Sequence, residues 1–166
     1  MLIRSAPLFL GLILAARMVS AAPAPQVDAC KLIDVATANA TAKAWFGAKI
    51  AFTASSAPGP RGGTCDFSPD SPKHIDFSVF FAPVGNAAAY GLGPSAPPNE
   101  TPVPGVGDRA VYDQSNDATL RYKNEDFAVL KGTAVMVISV TLDKGLGFVP
   151  KEKLADFAKR QLVPKM

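Results

Sequence analysis

The most constraining feature of the sequence is a ten-residue stretch, residues 133–142, in which nearly every side chain is apolar or β-branched. Its alternate positions form one wholly apolar set and one mixed set. The apolar set is Ala134, Met136, Ile138, Val140 and Leu142, and the mixed set is Val135, Val137, Ser139 and Thr141. Because successive side chains of a strand point to opposite faces, this pattern predicts a central strand with one core face and one mixed face.

Shorter patterns predict the elements around this strand. Asp34 is a favourable N-cap for a helix over residues 35–46, and Gly47 is suited to end that helix. The buried stripe of the helix would consist of Val35, Ala38, Ala42 and Trp45. Alternation predicts further strands over residues 49–53, 65–67, 74–82, 109–113, 118–123 and 127–131.

The remaining segments predict loops and a second long helix. Residues 54–63 and 93–107 lack hydrophobic periodicity, residues 84–92 favour a short helix, and residues 124–126 have the composition of a turn. A C-terminal amphipathic helix is predicted from Leu154, Phe157, Ala158 and Leu162. We therefore expect an α+β fold, with an antiparallel sheet of about six strands and the N- and C-terminal helices packed on one face.

The N-terminus has the pattern of a secretory signal peptide. Arg4 precedes an apolar run over residues 6–16, and small residues around Ala21 and Ala22 suit a signal peptidase. The alternative is an uncleaved anchor, although a bilayer span needs about 20 apolar residues. We expect residues 1–22 to be the signal peptide, 23–28 a flexible lead and 29–166 a single α+β domain. The exported chain would be periplasmic or secreted, with no stable membrane span.

Cys30 and Cys65 are the two cysteines of the chain. An oxidising compartment favours a disulfide between them, whereas free thiols or half of a metal site are the alternatives. His74 is the sole histidine, so the sequence offers no further His or Cys to complete such a metal site. We expect a Cys30–Cys65 disulfide, no bound metal and no cofactor.

The charge of the chain argues against nucleic acid as a partner. Without Arg4 and Arg17 of the predicted signal peptide, 15 basic residues remain against 14 acidic ones. The Lys and Arg residues are also dispersed, whereas a nucleic-acid-binding surface needs them clustered. We therefore expect no nucleic acid partner.

Few residues suggest catalysis. His74 would have to serve any Ser/His or Cys/His mechanism, and the sequence has no Gly-x-Ser-x-Gly motif. Asp66 and Asp76 lie on neighbouring predicted strands and could form the carboxylate pair of a hydrolase. Solvated strand positions are the ordinary role of such residues, so a carboxylate-dependent hydrolase is the weaker hypothesis.

Two features favour binding. One is the Pro-rich stretch 93–107, which ends at Asp108, because long loops are often recognition elements. The other is a set of aromatic residues expected on the non-core face of the sheet, unless a helix covers them: Phe80, Tyr112 and Tyr122. We expect a non-catalytic binding domain for a protein or envelope component. The alternative is a small-ligand carrier with a pocket between the sheet and the C-terminal helix.

Several short motifs resemble a known group of proteins. These are the Cys30-Lys31-Leu32-Ile33 start with its capped helix, the Cys65-Asp66-Phe67 strand, the segment over residues 103–112 and the Val129-Leu130-Lys131-Gly132 hairpin. Together they resemble small exported bacterial proteins of unknown function, some of them lipoproteins, with a PsbP-like α/β sandwich. The resemblance implies a fold and a compartment and carries over no catalytic residues. Cys30 lacks the small-residue context of a lipid-attachment site, which departs from the lipoprotein members.

Overall fold

The computed structural model describes residues 26–47, 50–69, 74–94, 97–116, 119 and 121–166. The predicted signal peptide and residues 23–25 of the predicted lead lie outside these ranges. The last residues of that lead belong to the folded domain, because Val27 pairs with Gly59 and Asp28 accepts hydrogen bonds from Cys30 N (3.0 Å) and Ser56 Oγ (2.6 Å).

A single antiparallel sheet organises the described residues. Its strands are β1 (Phe52–Ala57), β2 (Gly63–Pro69), β3 (Ile75–Ala82), β4 (Thr101–Pro102), β5 (Arg109–Ser115), β6 (Tyr122–Lys131) and β7 (Ala134–Asp143). Their order across the sheet is β1-β2-β3-β7-β6-β5-β4, so β7 is central, as its sequence predicts. The α+β class is confirmed, with seven strands in the described residues where about six were expected.

One face of the sheet, the core face, carries the main hydrophobic core. The apolar set of β7 is buried there, and the register places Phe77 and Val79 of β3 beside Val140 and Ile138. The C-terminal helix α2 (Lys151–Phe157) continues through a π-helical turn, Ala158–Leu162. Its buried residues join the same core: Leu154, Phe157, Ala158 and Leu162.

The N-terminal helix α1 (Val35–Phe46) begins and ends where the sequence predicts. Asp34 Oδ1 accepts a hydrogen bond from Thr37 N (2.7 Å), and Gly47 ends the helix at a φ of 67°. Trp45 contacts the rings of Phe77 and Phe157, each at a centroid distance of 5.5 Å. This contact joins the end of α1 to both the sheet and the C-terminal helix.

The predicted disulfide between Cys30 and Cys65 is present. It ties the 3₁₀ turn Ala29–Lys31 to β2, across a sequence separation of 35 residues. In the chain-entropy model a loop of this length contributes about 3–4 kcal/mol to stability.

Several predicted element boundaries are wrong. Of the described residues in the strand predicted over 118–123, only Tyr122 and Lys123 lie in a strand, while residues 118 and 120 lie outside the described residues. Strand β1 runs over Phe52–Ala57, so most of it lies in a predicted loop; its small side chains give little pattern, but they pair with β2 in continuous register. Residues 124–126 are not a turn, because β6 runs straight through them from Tyr122 to Lys131. Strand β4 lies within the predicted irregular stretch 93–107.

The described helices are all too short or too polar to cross a membrane.

Candidate functional site: an acidic cavity on the open face

The face of the sheet opposite the core, the open face, is only partly covered. The 3₁₀ helix Ala87–Tyr90 lies over one end of it. A second hydrophobic cluster lies at this end: Leu92, Val111, Ala128 and Val135, with Ala87, Tyr90, Leu130 and Val137 packed against them. The other end carries polar side chains of β2, β3, β6 and β7. The open face therefore changes from apolar to polar along its strands.

The four residues predicted for binding do not form one site. Phe80 and Tyr122 lie on the open face at different ends: Phe80 stacks on Tyr90 (5.5 Å between centroids) and Tyr122 stacks on His74 (4.0 Å). Asp108 ties the Pro-rich loop to the β6–β7 hairpin, since its Oδ2 accepts a hydrogen bond from Gly132 N (2.6 Å). This contact gives Asp108 a structural role.

The expectation of an exposed Tyr112 is wrong. Tyr112 is only 8% exposed and lies on the core face, where the register places it opposite the buried Phe127. Its hydroxyl donates to Glu125 Oε2 (3.0 Å), while Glu125 Oε1 accepts from Val149 N (2.7 Å). Burial, with the neighbouring Glu125 carboxyl, raises the pKa of Tyr112.

Glu125 belongs to a buried polar group beneath the loop that leads to α2. It is fully buried, and burial raises its pKa, although the hydrogen bonds from Val149 and Tyr112 oppose that shift. Lys123 beside it is 6% exposed, donates to the Leu146 carbonyl and lies 4.0 Å from the centre of the Phe148 ring. Both Glu125 oxygens have protein partners, so this group has a structural role.

A cavity of about 190 Å³ opens between the 3₁₀ helix Ala87–Tyr90 and the open face. We call it the acidic cavity, and its lining residues are Ala89, Tyr90, Glu100, Val111, Asp113, Asp126, Ala128 and Val137. The register explains its floor, because Val111, Ala128 and Val137 are direct neighbours across β5, β6 and β7. Among the residues that the structure describes, three carboxyl groups line the cavity and no Lys or Arg does.

Two of these carboxyl groups face each other across adjacent strands. Asp113 of β5 lies directly opposite Asp126 of β6. Ser139 Oγ donates to Asp126 Oδ1 (2.5 Å) and so fixes one of the pair. Like charges directly opposite each other destabilise a sheet, so this pair costs stability unless a positive charge joins it.

The third carboxyl group, Glu100, reaches the cavity from the loop before β4. Its Oε2 is buried and accepts no hydrogen bond from the described residues. Burial raises the pKa of Glu100, and the nearby Asp113 raises it further. An acceptor that is shielded from water and unpaired in the protein is costly, and a donor from a bound partner would satisfy it.

Neighbouring contacts hold Glu100 in this position. Gly91 ends the 3₁₀ helix with a φ of 69°, and a Cβ at Gly91 would collide with the Glu100 carboxyl group. The Arg109 guanidinium donates to the carbonyls of Leu92 and Pro94, each at 3.2 Å, and so anchors the segment that follows. Glycine at position 91 therefore permits both the turn and the approach of the carboxyl group.

The other predicted features give less defined sites. The register pairs Asp66 with Ser78, which places Asp66 and Asp76 diagonally on the open face at a Cα separation of about 7–8 Å. Asp76 is engaged by His74, with 2.6 Å between Oδ2 and Nε2. Buried side chains of α2 pack on the core face of the sheet, and a depression of about 390 Å³ lies between α2 and residues 102–104. The acidic cavity lies on the opposite face.

Sequence reasoning missed the residues that form the cavity. Alternation over residues 122–131, taken as one strand, would have placed Asp126 and Ala128 on the same face, but the turn-like composition of 124–126 obscured it. Glu100 and Tyr90 come from irregular segments, and no periodic signal brings such residues together.

No protein-family model, curated protein or solved structure matches this chain. The similarity to exported proteins with a PsbP-like fold therefore stays a prediction that rests on the sequence motifs.

Proposed function

We propose that this chain is an exported, non-catalytic binding domain that captures a positively charged side chain of a protein or envelope partner in the acidic cavity. The observation that carries the proposal is the buried Oε2 of Glu100, which has no hydrogen-bond partner among the described residues and lies beside the opposed carboxyl groups of Asp113 and Asp126. An ammonium or guanidinium group supplies only donors and a positive charge, and so would give Glu100 Oε2 a donor and bring a positive charge to the opposed aspartates.

The size of the acidic cavity favours a side chain over a larger ligand. Pockets for drug-sized molecules measure roughly 300–1,000 Å³, whereas this cavity measures about 190 Å³. Tyr90 in its wall also offers an aromatic ring to a cation. These features fit the end of an arginine or lysine side chain whose main chain remains outside.

A wider depression beside the acidic cavity would receive the rest of the partner. It measures about 570 Å³ and shares Ala89 and Tyr90 with the cavity. Phe80, Val84 and Arg61 also line it, and Val84 is 76% exposed. A segment that carries a basic residue next to an apolar one matches this pair of concave surfaces.

An NMR titration with Nα-acetyl-arginine methylamide tests the proposal. For one side-chain-sized group we expect a dissociation constant of about 1 mM and shifts at Tyr90, Glu100 and Asp113. The neutral citrulline analogue should leave these signals in place. Glu100→Gln should weaken arginine binding at least tenfold, whereas Asp66→Asn, a matched open-face change outside the cavity, should leave it unaltered.

Two outcomes would contradict the proposal: equal binding of the citrulline analogue, or full arginine binding by Glu100→Gln. Capture from the envelope fraction of the native host then separates a protein partner from a small ligand. A protein retained by the wild-type chain and lost with Glu100→Gln supports the binding-domain proposal. A low-molecular-mass amine recovered in its place supports the small-ligand carrier.

A further inference from the structure

The two edges of the sheet differ in a way that bears on assembly. The edge strand β4 has two residues, and one of them, Pro102, has no N–H to offer. The other edge strand, β1, has six residues with neither charge nor proline, and its last five are exposed. Exposed edges of natural sheets are usually short or protected by proline, charge or a bulge. Strand β4 has such protection, whereas β1 has no proline or charge and makes hydrogen bonds with described residues outside the sheet at Phe52, through Asn39 of α1, and at the side chain of Ser56, through Asp28.

The hydrogen bonds of Phe52 show which backbone groups of β1 point away from the sheet. Phe52 N donates to Asn39 Oδ1 of α1 (2.8 Å), and its neighbour in β2 is Pro69, which has no N–H. Phe52 therefore directs its N–H outward. Because the direction alternates along a strand, Ala54 and Ser56 also direct their N–H and C=O groups outward.

Strand β1 therefore presents a short row of backbone donors and acceptors at the free edge. On that side, the order of the strands places no partner next to β1 among the described residues. The donor of Phe52 is already occupied by Asn39, which leaves the groups of Ala54 and Ser56 as the accessible set.

We propose that β1 pairs antiparallel with β1 of a second copy of this chain, about a twofold axis at Ser55. In this register Ala54 of one copy lies opposite Ser56 of the other, so four main-chain hydrogen bonds form without the occupied donor of Phe52. The side chains that meet are serine, alanine and threonine, which neither clash nor repel across the axis. The register is self-complementary, so one sequence supplies both halves of the interface.

The twofold axis stands perpendicular to the sheet, so both open faces lie on the same side of the paired sheets. With neighbouring strands about 4.8 Å apart, the two acidic cavities would lie roughly 45 Å from each other. A partner with two basic segments would then be held at two points, which raises its apparent affinity. This last consequence rests on the proposed function, whereas the pairing itself does not.

Sedimentation velocity on the wild-type protein tests the pairing without any ligand. A small interface of this kind should give a monomer–dimer equilibrium between about 10 μM and about 1 mM. Ala54→Pro should weaken dimerisation at least tenfold and leave the fold intact, because it removes an outward N–H. Ser55→Pro should unfold or strongly destabilise the chain, because Ser55 directs its N–H towards β2.

Variants at Ser55 and amide hydrogen exchange test the dimerisation independently. Ser55→Lys places two positive charges at the axis and should also weaken the dimer, whereas Ser55→Thr should preserve it. Amide hydrogen exchange at Ala54 and Ser56 should slow as the protein concentration rises. A wild-type chain that stays monomeric at about 1 mM overturns the proposal. An unchanged dimer in Ala54→Pro would also overturn the proposal. The same holds if the chain does not self-associate and β1 instead pairs with a strand of a different protein.

Discussion

Glu125 on the core face and Glu100 on the open face are carboxyl groups that differ in their hydrogen bonding. Burial raises the pKa of both. Glu125 accepts hydrogen bonds from Val149 N and from the Tyr112 hydroxyl, so both of its oxygens are satisfied. Glu100 keeps a buried Oε2 that has no partner in the described part of the chain. The difference separates a carboxyl group that stabilises the fold from one that is available to a partner.

The surroundings of the two groups differ in the same way. Lys123 lies beside Glu125 and its positive charge favours the ionised carboxyl group. Beside Glu100 lies Asp113, which opposes ionisation. Natural sequences depart from local energetic rules mainly at functional sites. The charge that is missing from the acidic cavity is therefore our main reason to place function there.

Removal of each carboxyl group should give the largest contrast. Glu125→Ala leaves the Val149 N–H without its acceptor in the interior, whereas the Tyr112 hydroxyl keeps Gln114 Oε1 as a partner (3.1 Å). The variant should lower the free energy of unfolding by about 1–3 kcal/mol. Glu100→Ala removes an acceptor that has no partner in the described part of the chain and should change this free energy by less than about 1 kcal/mol. Urea denaturation at neutral pH measures both. Equal losses of unfolding free energy in the two variants would show that Glu100 stabilises the fold as much as Glu125 does, which would contradict the proposed difference between them.

The pH dependence of stability should identify Glu125 as an internal group. Because its pKa is higher in the folded chain than in the unfolded one, its contribution is complete below about pH 4.3 and is lost as the pH rises through the folded pKa. Glu125→Gln keeps an acceptor for Val149 N and does not titrate. Relative to wild type it should therefore gain stability between pH 4 and pH 7, as measured by urea denaturation at several pH values. A constant difference across this range would contradict the assignment.

A smaller effect should come from the opposed pair in the acidic cavity. Asp126→Asn removes a negative charge opposite Asp113 and keeps an acceptor for Ser139 Oγ. It should raise the free energy of unfolding by about 0.2–1 kcal/mol while weakening the binding of the arginine derivative. Asp66→Asn, whose cross-strand neighbour is Ser78, is the matched control and should show neither change. A loss of stability in Asp126→Asn would show that the pair is not repulsive.

The sequence predicts the regular part of this molecule well. The alternation of Met136, Ile138 and Val140 identifies the central strand because a strand buried on one face must repeat every two residues. Asp34 and Gly47 mark the ends of α1 because helix termini need these chemical groups. These features depend on residues that are close together in the sequence, so they can be predicted from one sequence alone.

The acidic cavity could not be predicted in the same way. Asp126 faces Asp113 only because β6 passes through residues that resemble a turn, and Glu125 within it is satisfied by contacts far away in sequence. Glu100 reaches the cavity past Gly91 along an irregular path. Tyr112 lies on the core face because of the register between β5 and β6, which the sequence of one strand does not specify.

The most direct test follows the carboxyl carbons of Glu100 and Glu125 by NMR through a pH titration, with and without Nα-acetyl-arginine methylamide. A cation bound in the acidic cavity stabilises the ionised form of Glu100 and should lower its pKa, while the pKa of Glu125 stays where its own partners hold it. A Glu100 pKa that does not move at saturating probe, or a shift shared equally by Glu125, would contradict the account.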